Sequence, residues 1–224
     1  MKKPVFYTEA AYGIGMVLLA VGTALTVYGD FGLSMVVAPA YILHLSLSPF
    51  FPFFSFGVAE YVLQALLLLL TMLLLRKAKL SYLLSFGAAI LYGIVLDGAI
   101  GLTALLPAQL YLQIPLYLAG VLLCCSAIAL LFCSYLPPAA YELLVKELSA
   151  KFQRPTHAVK TVYDMASLAI AAIASLALFG TFRGIGVGTV LCALTYGIII
   201  RFFQTRYTKW FHFTDKFPLR KHFE

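Results

Sequence analysis

Residues 62–96 read VLQALLLLLTMLLLRKAKLSYLLSFGAAILYGIVL. Val62 to Leu75 carries no charge, and a second apolar run begins after Arg76-Lys77-Ala78-Lys79 and reaches Asp97. Extended to ~20 residues, each run is long enough to cross the hydrocarbon core of a bilayer as a helix. The basic break between them leaves room only for a short connection, so the stretch reads as two antiparallel spans. Met16–Tyr28 and Ala166–Phe179 are uncharged in the same way.

The whole chain fits this reading. Of its 224 residues, 62% are hydrophobic and 11% charged, against roughly 25% charged in an average soluble domain. No soluble core absorbs so much apolar surface. Six spans are predicted at about 8–28, 53–75, 80–104, 112–134, 157–180 and 184–205, within a single membrane domain of residues 1–224. Pro52, Pro107, Pro115 and Pro155 punctuate the connections. The predicted class is all-α, a polytopic membrane helix bundle, with the bilayer as its main partner. The first apolar run is expected to be retained, since Glu9 intrudes on it and no small-x-small cleavage pattern precedes Asp30.

The net charge of +7 invites a nucleic-acid reading, but the bases lie between apolar segments instead of on one face, which points to topology. Summed over alternate sides, fifteen of the sixteen Lys and Arg residues fall with the termini and only Arg183 falls opposite. The positive-inside rule then puts both termini in the cytoplasm. The basic and aromatic tail, 206–224, suits an anionic headgroup layer. Cys124, Cys125, Cys133 and Cys192 lie inside apolar segments and read as small hydrophobes. The sequence contains no metal motif and calls for no cofactor.

Two connections are unusually long. Gly29–Pro52 carries one acid and no base. In 136–156 a short amphipathic helix is expected, with Tyr141, Leu144, Val145, Leu148 and Phe152 on one face and Glu142–Lys146 and Glu147–Lys151 as i,i+4 pairs. Either connection re-enters the bilayer or lies on it.

At an offset near 104, Ile90-Leu91-Tyr92-Gly93-Ile94 faces Leu194-Thr195-Tyr196-Gly197-Ile198. Both halves, about 8–104 and 112–205, share the order span, long connection, span, short connection, span. Three spans per half is an odd number, so the second half enters from the opposite side, which is the inverted-repeat plan of many secondary transporters.

Charges inside hydrocarbon cost at least ~2.5 kcal/mol each. Glu60 and Asp164 face each other at the same offset, each about eight residues into its predicted span and so near the midplane. Gln64 lies one turn beyond Glu60, and His157, Lys160 and Asp164 share one helical face. These five residues are the candidate substrate- or ion-binding set. Asp97 and Arg201 also correspond, and are expected at interfacial ends.

The stretch VYGDFGLSMVVAPAYIL, the stretch FRGIGVGTVLCALTYGIIIRFF and the acid at Asp164 resemble the YczE/YyaS/YitT-like bacterial integral membrane proteins. Met35 stands where that family carries proline, and Val187 interrupts the glycine run. The resemblance implies a small multi-pass protein of a bacterial plasma membrane and leaves the solute open. The leading expectation is a transporter of a small polar or cationic solute, coupled to a proton or cation, and compatible with a homodimer. A channel, a substrate-capture subunit of a multi-component importer and a scaffold remain alternatives. No His-Glu-x-x-His, Gly-x-Ser-x-Gly or paired-aspartate motif argues for an enzyme.

Overall fold

The computed structural model describes residues 3–76, 80–136, 139–154 and 156–215. Its elements in chain order are β1 (Val5–Tyr7), α1 (Thr8–Gly29), α2 (Ala38–Leu47), α3 (Phe56–Leu75), α4 (Leu80–Thr103), α5 (Leu110–Leu131), α6 (Ala140–Phe152), α7 (Thr156–Phe179), α8 (Val187–Trp210) and β2 (His212–Thr214). Six of the helices are long and apolar enough to cross a membrane. The chain is a multi-pass helix bundle, as its apolar runs require. Pro137, Pro138, Pro155 and the tail after Asp215 fall outside the described residues.

α1 and α5 form the central pair, with α4 against α1 and α8 against α5. The crossing is close because Gly22 and Gly120 meet with no room for a Cβ on either. Polar bonds pin the flanking helices. Tyr92 Oη of α4 donates to Thr23 Oγ1 of α1 at 3.0 Å, and Ser126 Oγ and Tyr207 Oη lie 2.6 Å apart between α5 and α8. α3 packs on α4, whereas α7 and α8 scarcely touch; α7 is held instead by the short helices α2 and α6. Large side chains such as Val162, Ile173, Leu194 and Ile198 face outward from these two helices, as lipid contact demands.

Three expectations shift. The second span starts at Phe56 instead of 53, because Ser55 takes the cap position and its hydroxyl accepts from Val58 N at 3.1 Å. Pro115 lies inside α5 instead of marking the connection before it. As the sixth residue it forfeits a single backbone bond near the helix start. The last helix runs on to Trp210, and residues 212–214 form a strand instead of a lipid-lying tail. That strand pairs in parallel with β1, Phe6 opposite Phe213, and the Phe6 ring packs 5.2 Å from Phe211 and 5.8 Å from Phe213. Thr8 Oγ1 donates to Asp215 at 3.0 Å, and Tyr135 Oη to Glu9 at 2.9 Å. Residues 5–8 and 212–215 are thus joined on one side of the bundle.

Candidate functional site

The site begins with α6. Its first amide, Ala140 N, lies 3.4 Å from Gln64 Oε1, and Lys151 Nζ near its other end donates to Leu74 O at 2.8 Å. Gln64 precedes the end of α3 at Leu75 by eleven residues, about 17 Å at 1.5 Å per residue. α6 therefore lies along the terminal-side half of α3 with its N-terminus level with the middle of that span, which makes α6 a re-entrant helix. The amphipathic pattern is a packing pattern. Tyr141, Leu144 and Val145 are buried as expected, joined by Leu143, while Phe152 stays exposed.

A helix that starts in apolar surroundings must satisfy its first amides. Gln64, 1% exposed, does this from α3 for Ala140 N, and Glu60, 0% exposed, holds Gln64 and the Tyr141 side chain beside it. Tyr141 Oη donates to Glu60 Oε2 at 2.5 Å, and Gln64 Nε2 reaches the same oxygen at 3.4 Å. The carboxyl group meets a short phenol bond, an amide and the N-terminal end of α6, whose dipole favours negative charge. Glu60 is only the fifth residue of α3, about 6 Å from the helix start. Glu60 is thus shallower than the sequence-derived position, and the difference follows from Ser55 delaying the helix.

The second half of the candidate set sits on α7. Lys160 Nζ lies 3.3 Å from Asp164 Oδ1, with the side chains 38% and 14% exposed. This is an i,i+4 pair on a partly open face, unlike the enclosed Glu60. The side chain of His157 lies outside the described residues. Asp164 is the ninth residue of α7, about 12 Å from its start.

Two features escaped sequence reasoning. Asp97, expected at an interfacial end, is a cap made across helices: its carboxylate accepts from Ser55 Oγ at 2.5 Å and from Gly57 N at 2.7 Å. The approach of α4 that allows this depends on Gly57 and Gly93, whose backbones touch where either Cβ would stand. The second feature is an interlock of two glycine-bearing loops. Leu33 N donates to Gly184 O and Gly188 N to Phe31 O, both at 2.8 Å, while Tyr117 Oη donates to Gly32 O at 2.9 Å. Gly184 adopts φ 67, and the Tyr41 ring occupies the space of its Cβ. The clustering of glycines in GDFG and RGIGVG was visible as a signal, though their partnership was not.

Fold and site together define a multi-pass helical membrane protein with a re-entrant half-length helix whose buried end rests on an acid and an amide. The chain belongs to the family of unknown function DUF6198, whose profile matches residues 6–205. No curated protein and no solved structure matches it.

Proposed function

We propose that the protein is a transporter of a small polar or cationic solute, and not an enzyme, acting in a bacterial plasma membrane with both termini cytoplasmic. The observation that carries this reading is the re-entrant α6, whose N-terminus meets Glu60 and Gln64 in the bundle interior. Interrupted helices ending at membrane depth are where secondary transporters bind solutes and coupling ions. In this reading Glu60 exchanges a proton or cation, Tyr141 and Gln64 orient its carboxyl, and the Lys160–Asp164 pair flanks the path from the cytoplasmic side.

The order long, short, long, long occurs twice along the chain. α3 packs with α6 as α7 packs with α2, and α1 with α4 as α5 with α8. These correspondences support an inverted repeat, and inversion supplies the two exchangeable states that alternating access needs. The halves differ where α4 packs, since α4 lies on α3 and touches α6 while α8 stands apart from both α7 and α2. A transporter held in one of its two states has this asymmetry. The resemblance to the YczE/YyaS/YitT-like proteins, carried by the two loop stretches and Asp164, accords with this reading.

The test compares intracellular and medium solute pools, by mass spectrometry, in cells producing the wild type, Glu60→Gln or Asp164→Asn. A polar or cationic solute should acquire a gradient with the wild type and lose it with Glu60→Gln, at equal amounts of folded membrane protein. No change in any solute, or an unaltered gradient in Glu60→Gln, refutes the assignment. Orientation is tested separately by impermeant thiol labelling of Ser46→Cys against Lys77→Cys in intact cells; reaction at position 77 alone reverses it.

A further inference from the structure

The interlocked loops border a second, partly open site, distinct from Glu60 and on the bundle face opposite the termini. A cavity of about 330 Å³ is lined by Asp30, Tyr41 and Arg183, with Leu45, Phe182 and Ile185 among its apolar walls. It lies between the two halves: Asp30 follows α1, Tyr41 is on α2, and Arg183 is in the α7–α8 connection. The volume is at the small end of ligand-binding cavities.

Opposite charges in one cleft ordinarily pair. Among the described residues, the side chains of Asp30 and Arg183 form no ion pair or hydrogen bond with the protein, and neither does the Tyr41 hydroxyl. Burial, followed by the Asp30 carboxylate, pushes the Tyr41 phenol up, while the Arg183 guanidinium opposes them. Tyr41 thus stands within the fields of both charges and stays a neutral donor. The backbone fixes these groups. Asp30 takes φ 56 as the left-handed cap of α1, and Gly184 at φ 67 leaves room for the Tyr41 ring beside Arg183.

We propose that this cleft binds a small zwitterion, its cationic group at Asp30, its anionic group at Arg183 and Tyr41, and its short apolar part against Leu45, Phe182 and Ile185. Free amino-acid-like solutes and the headgroup of a zwitterionic phospholipid share this chemistry. The inference concerns binding alone and does not depend on transport through Glu60.

The test uses the purified full-length protein in detergent, with affinities measured by ligand-observed NMR. Four probes are compared: L-alanine, propionate, isopropylamine and short-chain phosphatidylethanolamine. L-Alanine or phosphatidylethanolamine should bind at least ~10-fold more tightly than propionate and isopropylamine, and whichever of the two binds identifies the source. Asp30→Asn and Arg183→Gln should each weaken that binding by ~10-fold or more, about 1.4 kcal/mol, while Arg206→Gln, an exposed position near the far end of α8, leaves it unchanged. Both cleft substitutions are at exposed positions, and asparagine tolerates the left-handed backbone of Asp30, so unchanged elution on size exclusion verifies the fold. Absence of zwitterion binding, equal binding of a singly charged probe, or binding indifferent to both cleft variants overturns the proposal.

Discussion

Replacing Tyr141 by phenylalanine removes one hydroxyl from the interior and leaves the ring in place. The bond lost is the 2.5 Å donation to Glu60 Oε2, made by residues 81 apart in sequence. Hydrogen bonds between helices in membrane proteins are worth ~0.6 kcal/mol on average and reach ~1.7. This bond is short and fully enclosed and so belongs in the upper part of that range; Tyr141→Phe should destabilise the fold by about 1–2 kcal/mol. Glu60→Ala should cost more, because it opens a cavity and also leaves both the Tyr141 hydroxyl and the Gln64 amide without the carboxyl. A double-mutant cycle cancels the cavity and isolates the bond. Its coupling should be about 1 kcal/mol in reversible unfolding by sodium dodecyl sulfate in mixed micelles. Tyr111→Phe, at a phenol exposed on the surface, is the control and should be neutral. Additivity of Tyr141→Phe and Glu60→Ala within ~0.3 kcal/mol would refute the claim that this pair ties α6 to α3.

Gly57→Val should abolish folded protein, because Gly93 and Asp97 fill the space its side chain needs, whereas Gly98→Ala, with open space around it, should leave yield and thermal midpoint unchanged. Asp97→Ala should cost about 1–2 kcal/mol in the same unfolding assay, the value of an anionic cap on a helix start; no loss would remove Asp97 from the α3 cap. Lys160→Met should change stability by less than ~1 kcal/mol, since its partner lies on a partly open face. Gly184→Ala should lower the thermal midpoint, because a Cβ at φ 67 meets the Tyr41 ring; an unchanged midpoint would mean that the ring moves freely.

The sequence by itself determined the solvent, the number of spans and the candidate acids. Long uncharged runs report the environment of a whole helix, and a carboxyl inside such a run stands out by its cost. The amphipathic face of 140–152 was legible for the same reason, with Tyr141 already on it. What hydropathy cannot do is separate lipid from protein interior, because both are apolar. Only the tertiary structure decided that α6 rests against α3 at depth instead of on the surface, that Tyr141 is the partner of Glu60, and that Asp97 caps a helix it does not belong to. It also decided that the loops after α1 and before α8 interlock, leaving Asp30 and Arg183 on one cleft. Each is a contact between segments distant in the chain, fixed by which glycine-permitted approaches bring particular polar atoms within hydrogen-bonding range, and neither residue periodicity nor charge counts encode that distance.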